Sequence, residues 1–301
     1  MSVFAAVECL PFPRSGLAEG ITWDPLSGTL VWVDIPGRTA FRSHPSLRAA
    51  SATSLPKLTS ALLPGDRGGL LALCHDGLHA FDPGREEADR LVALCLPPGL
   101  AVGDVRFNDA KVDPAGRIWA GTMSLKGRTG AGALFRFEPP SQVTAVYHPT
   151  DLSNGIAWTP SGKHMCFIDS AKRCVHRFEF DLAAGRIVAE LPSLDLSGEP
   201  GLPDGCSMDA EGMLWIAHWG GARITRRDPV KGRIIETIRL PVTNVTSLAF
   251  GGDGLRRLFV STAGPEAAGA AAEPEAGCIF EVAADAAGLP QTLLQESAWS
   301  R

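Results

Sequence analysis

The chain of 301 residues has seven cysteines but no Cys-x-x-Cys pair, no Gly-x-Ser-x-Gly, no His-x-His and no His-Glu-x-x-His. These absences argue against a redox dithiol, a serine hydrolase built on a nucleophile elbow, and a zincin. No apolar run approaches the roughly 18 residues of a membrane helix. A strong charge of one sign is missing too. With a net charge of −5 and scattered Lys and Arg, there is no footprint for nucleic acid or an anionic membrane. Arg223, Arg226-Arg227 and Arg256-Arg257 are read as solvated loop or strand faces. Met1 to Leu10 carry no basic leader and meet an acid at Glu8, so no signal peptide and a cytoplasmic location are expected. The odd cysteine count fits reduced thiols, mostly small buried hydrophobes in strands, with a Cys166–Cys174 bridge across a hairpin as the alternative.

What is present is a repeat. Gly-bearing turns recur at Asp24 to Gly28, Gly65 to Gly68, Asp113 to Gly116, Thr159 to Gly162, Asp209 to Gly212 and Gly251 to Gly254, each followed by an apolar strand. Their spacing of roughly 41 to 50 residues matches one four-stranded blade of a β-propeller. The expected fold is therefore all-β: one six-bladed propeller domain over residues 1–301. A ring of sheets is locked when both chain ends share a blade, so the strand within Ser2 to Leu10 should pair outside Cys278 to Val282.

Five residues before each turn stand Glu19, Ser60, Asn108, Asn154, Asp204 and Thr246, all polar, and two residues further on Ile21, Leu62, Ala110, Ile156, Cys206 and Leu248. Strand alternation puts each pair on one face, and in a propeller the six polar positions converge on one end of the central channel. Glu19, Asn154 and Asp204 then bring two carboxylates and an amide oxygen to one point, a set suited to a hard divalent cation. Calcium, magnesium, manganese, zinc and iron(II) remain open.

Four pieces carry a resemblance: Leu17-Ala-Glu-Gly20 with Trp23, Arg106-Phe-Asn-Asp to Gly116 running into Trp119-Ala-Gly-Thr-Met123, Ser153-Asn-Gly to Trp158, and Pro203-Asp-Gly205 with Leu214-Trp215. Together they resemble the gluconolactonase/regucalcin (senescence marker protein) family of sugar-lactone hydrolases, over nearly the whole chain. The resemblance implies that Arg106 and Asn108 hold sugar hydroxyls beside the metal, roles that a planar guanidinium and an amide suit. It also implies that Asp204 is the general base of a metal-assisted lactone hydrolysis. Regucalcin-like proteins have acids shortly after the residue matching Met123, where this chain has Ser124-Leu-Lys-Gly-Arg128. A basic lip of Lys126 and Arg128 would favour an anionic substrate; the alternative is a solvated loop.

Other residues are expected to be structural. Asp109 reads as a turn-stabilising acid, His75 and His79 as exposed turn residues, and His218 as structural. Trp23, Trp158 and Trp215 are placed between blades, and Pro265 to Ala276 is read as a surface loop. The expected partner is a small sugar lactone, with neither nucleic acid nor membrane, for a monomer or weak homo-oligomer. The rival readings are a non-catalytic calcium-binding propeller and a calcium-dependent arylesterase or phosphotriesterase, which would want an apolar mouth.

Overall fold

The computed structural model describes residues 6–44, 46, 48–81, 90–94, 103–265 and 273–299. Cys95 and most of the Pro265 to Ala276 stretch lie outside the described residues, as does the start of the N-terminal strand. Among the described residues, twenty-four strands form six four-stranded antiparallel sheets.

The first strand, β1 (Val7–Cys9), belongs to the last blade. Blade one is β2 (Ala18–Asp24), β3 (Thr29–Asp34), β4 (Thr39–His44) and β5 (Ala49–Ser54). Blade two is β6 (Thr59–Pro64), β7 (Leu70–Cys74), β8 (Gly77–Phe81) and β9 (Arg90–Ala93). Blade three is β10 (Val105–Val112), β11 (Ile118–Ser124), β12 (Gly132–Glu138) and β13 (Gln142–Thr150). Blade four is β14 (Ser153–Trp158), β15 (His164–Asp169), β16 (Cys174–Asp181) and β17 (Arg186–Asp195). Blade five is β18 (Leu202–Met208), β19 (Leu214–Trp219), β20 (Arg223–Arg227) and β21 (Ile234–Arg239). Blade six is β22 (Val245–Gly251), β23 (Arg257–Thr262), β24 (Ile279–Ala283) and β1.

The first strand of each blade touches its counterparts in both neighbouring blades, with β2 meeting β22 to close the ring. The protein is a six-bladed β-propeller. The N-terminal strand closes it as expected, with Val7 opposite Val282 and Cys9 opposite Phe280. That pairing covers the edge β24 would otherwise expose.

The recurrent turns have a local cause. Asp113 Oδ1 accepts the Ala115 and Arg117 amides at 2.9 and 3.0 Å, and its Oδ2 accepts Trp119 Nε1 at 3.0 Å. Asp209 does the same for Glu211, Met213 and Trp215, each at 2.9 Å. One buried carboxylate thus fixes the turn and orients the tryptophan two residues into the next strand. The indoles then fill the seams between blades. Trp23 stacks on Phe259 at 6.2 Å, Trp158 meets Trp119 at 5.9 Å, and Trp215 meets Phe250 edge-on at 5.7 Å. These are the inter-blade places expected for Trp23, Trp158 and Trp215.

Beyond β24 the chain crosses the far end of the channel, where the inner strands finish. Gly288 N donates to Leu255 O at 2.8 Å and Leu294 N to Pro64 O at 2.9 Å. Leu294 and Trp299 are buried against blades two and three. The described cysteines are all free, with no Cys166–Cys174 bridge. No described helix is long and apolar enough to cross a membrane.

Two expectations fail on burial. His79 is buried, not exposed, because Asp76 Oδ1 meets its Nε2 at 2.8 Å inside the blade. Arg223 and Arg227 are also buried. Glu199, in the loop before β18, accepts from Arg227 at 2.8 and 2.7 Å and from Arg223 at 2.9 Å. A carboxylate supplied from outside the strand lets two guanidinium groups leave water. Arg226 pairs with Asp209 and Glu211, and Arg257 with Glu281.

Candidate active site

All six polar positions lie on inner strands and are buried. At that level each inner strand breaks register with its neighbour: between Glu19 and Thr22, Thr59 and Ala61, Phe107 and Ala110, Ser153 and Ile156, Pro203 and Cys206, and Val245 and Ser247. A bulge re-aims a side chain and releases a strand from pairing. Six of them in a ring free these side chains from regular alternation at one level of the inner strands.

The positions then divide. Glu19, Arg106, Asn108, Asn154 and Asp204 line one cavity of about 220 Å³. Ser60 and Thr246 do not line it. Their hydroxyls donate to Leu73 O at 3.3 Å, within blade two, and to Ala18 O at 2.6 Å, across to blade one. Lys126 is also outside the cavity lining, exposed and paired with Asp104, whose other oxygen is 3.6 Å from Arg128.

Close packing brings the inner strands together. A Cβ on Gly155, directly after Asn154, would lie 2.6 Å from Cys206 N and 2.9 Å from Asp204 O. Only a glycine lets blade four approach the strand carrying Asp204 this closely. Gly20, directly after Glu19, has φ +57°, and its Cβ would meet Ser60 O at 2.7 Å.

A hydrogen-bond chain orients the amides. Ser170 Oγ donates to Pro203 O, an acceptor only, so it must accept from Asn154 Nδ2, at 2.8 Å. Asn154 Oδ1 is thereby directed away from Ser170, and it accepts from Asn108 Nδ2 at 2.8 Å. Asn108 Nδ2 also donates to Ser153 O at 2.9 Å. Ser170 carried no signal in the sequence, because its role depends on a carbonyl from the next blade.

The electrostatics are those of an under-neutralised acid pair. Burial pushes Glu19 up to about 8, helped by the charge of Asp109 and opposed by the Gly20 amide and Arg106. Burial raises Asp204 well above the carboxylate range, with the charges of Glu19 and Asp109 adding to it and Arg106 opposing. Among the described residues neither acid forms an ion pair. No described group of three or more His, Cys, Asp or Glu side chains is placed to hold a metal. The donors here are two carboxylates and amide oxygens. That set is all oxygen, and its two acids form no ion pair among the described residues that would neutralise them once ionised, so it fits a hard dication and not a soft one.

Asp109 is not a turn residue. It sits within β10, accepts the Ala110 amide at 2.7 Å, and lines the narrow channel below with Lys111. Burial raises its pKa. His218 is structural as expected: it is buried with Nε2 2.8 Å from Thr225 Oγ1, and its pKa is lowered to about 3, by burial first and then by Arg223 and Arg227. Its neighbour Trp219 points the other way and lines the cavity, as do Leu17, Met123, Leu152 and Leu202. The leucines had a signal in the sequence, a thrice-repeated Leu-x-Glu/Asn/Asp-Gly at Leu17, Leu152 and Leu202.

Comparison with known proteins gives a consistent result. The profile of the SMP-30/Gluconolactonase/LRE-like region matches residues 17–264. Human regucalcin is 32% identical over 283 residues, covering 92% of this chain and 93% of the relative. Regucalcin of Danio rerio is 31% identical over 280 residues with the same shares. Among solved structures, a luciferin-regenerating enzyme superposes with TM-score 0.86 at 26% identity, covering 97% of this chain and 99% of its own. A calcium-binding regucalcin from Agrobacterium tumefaciens also gives 0.86, at 28% identity, with 97% and 98% covered.

Proposed function

Because the chain belongs to the SMP-30/gluconolactonase/LRE-like family, we propose that it is a metal-dependent hydrolase that opens a sugar lactone to the corresponding hydroxy acid. The observation that carries this reading is the convergence of Glu19, Asn154 and Asp204 with Arg106 and Asn108 in one cavity. Calcium binding by the Agrobacterium relative and the all-oxygen donor set support a divalent cation held by Glu19, Asn154 and Asp204. When bound, the cation supplies a Lewis acid for the lactone carbonyl and neutralises the paired acids.

The chain's own groups do the rest. Arg106 and Asn108 hold the ring hydroxyls, which fixes the carbonyl carbon over Asp204. Asp204 takes a proton from the attacking water as its oxygen bonds to that carbon. The ring C–O bond then breaks, and the proton passes from Asp204 to the departing ring oxygen, leaving a hydroxy acid. The apolar wall around the site excludes bulk water from the developing charge.

The test is a pH-stat assay with a panel of aldonolactones and one aryl ester, before and after thorough metal stripping. Lactone opening that disappears with the metal and in Asp204→Ala is expected. Turnover that survives metal stripping or Asp204→Ala would reject the mechanism. Metal binding with no turnover of any ester would leave a non-catalytic cation-binding propeller.

A further inference from the structure

The cavity is built in two storeys. Leu17, Leu152 and Leu202 stand two residues before Glu19, Asn154 and Asp204, so strand alternation sets them above those groups on the same face. Among the described residues, Met123 and Trp219 also line this upper part. All five apolar residues are partly exposed, whereas Glu19, Asn108, Asn154 and Asp204 below them are buried. A ligand reaching the oxygen atoms of the floor must pass, and remain beside, an apolar collar.

Among the described residues, few polar groups are left to bind hydroxyls at that height. Asn154 Nδ2 is spent on Ser170 and Asn108 Nδ2 on Ser153 O and Asn154. Ser170 donates to Pro203 O. Arg106 already gives Nη1 to Phe107 O at 2.8 Å, leaving its other donors as the polar part of the wall. Lys126 and Arg128, the cations nearest in sequence to Met123, are turned to Asp104. A hydroxyl or an anionic group held against the leucines would lose water and find no partner among the described residues. An alkyl group there would leave water at a gain.

We propose that the substrate is a neutral lactone whose exocyclic substituent is apolar, an alkyl or deoxy-sugar arm, with any hydroxyls confined to the ring edge that faces Arg106 and Asn108. This rests on the lactone-hydrolase reading and narrows its substrate class. The ring ester sits on the floor and the arm lies among Leu17, Leu152, Leu202 and Trp219.

The experiment compares neutral lactones of one ring size that differ only at the exocyclic carbon: methyl, propyl and hydroxymethyl. With the metal-loaded protein, kcat/KM should favour methyl and propyl over hydroxymethyl by about tenfold or more, the scale set by burying one methylene in an apolar pocket or one hydroxyl without a partner. Trp219→Ala should raise KM for the propyl lactone more than for the hydroxymethyl one. Equal or better turnover of the hydroxymethyl lactone would overturn the inference while leaving the hydrolase reading intact. A second readout needs no turnover. Calorimetric binding of the matching propyl and hydroxymethyl lactams, whose amide resists opening, to the metal-loaded protein should show the same preference, and equal affinities would overturn it. Preferential lactam binding without opening of any lactone would uphold the collar and reject the hydrolase.

Discussion

The side-chain amide of Asn108 donates to Asn154 Oδ1 at 2.8 Å, tying the inner strand of blade three to that of blade four. The bond is one link of a directional chain that runs from Asn108 through Asn154 and Ser170 to Pro203 O, next to Asp204. The carbonyl at its end can only accept, so every amide along it has one permitted orientation.

Ser170→Ala removes the acceptor that holds Asn154 Nδ2. The Asn154 amide is then free to turn its nitrogen towards the floor. Groups that orient ligands are typically worth about 10- to 100-fold in metal affinity. Calorimetric titration with calcium should show a loss of that order, with stability lowered by only about 1 kcal/mol.

Gly155→Ala places a Cβ 2.6 Å from Cys206 N. Neither backbone can yield without parting blades four and five, so a loss of roughly 1–3 kcal/mol is expected in urea unfolding. Gly198→Ala is the control, because nothing lies within 4 Å of its added carbon. Its effect should stay within about 0.5 kcal/mol.

Glu199→Gln leaves Arg223 and Arg227 buried without the carboxylate they share. Removing one partner of a buried ion pair costs about 3 kcal/mol. For a chain of this size, Tm by calorimetry should fall by roughly 5 °C. The same segment carries Asp204, and Arg173 holds it by Glu199 O and Gly201 O at 2.5 and 2.8 Å. Damage should therefore spread to the site.

The metal-stripped protein should prefer the acid side of neutrality. Glu19 rises from 4.5 to about 8 on folding, chiefly through burial, so the native state holds a proton that the unfolded chain has lost. A raised folded-state pKa gives stability that is complete below about 4.5 and is lost as pH climbs through about 8. Thermal scans without metal should show Tm falling from pH 6 to pH 9, and Glu19→Gln should flatten that slope. Metal needs the ionised form, so calcium binding at pH 7 should release protons. Titrations in buffers of different ionisation enthalpy read that release directly.

Much of this was legible because it is local. The Asp113 and Asp209 turns close on amides within four residues of the acid and on an indole six residues on, so they recur as a pattern in the chain. Alternation along a strand has period two. It therefore places Glu19, Asn154 and Asp204 at matching heights once the repeat is recognised. A separate rule, that a ring of sheets is locked when both chain ends share a blade, places Val7 to Cys9 on the last blade.

Other features depended on partners remote in sequence. Strand alternation alone does not separate Ser60 or Thr246 from Asn108 or Asn154, but in the folded ring their hydroxyls meet carbonyls and they do not line the cavity. Arg227 looks like a surface cation until Glu199 arrives from 28 residues away. Asp109 lies in a strand facing the lumen, and Lys126 has Asp104 as its partner. The repeat and its polar inner ring follow from the order of residues along the chain, because hydrogen bonds within a turn and side-chain alternation are short-range. Which of those polar groups face the cavity, which charges are buried, and what wall stands above the acids were decided by the tertiary structure, because each depends on a neutralising or hydrogen-bonding group supplied by another segment.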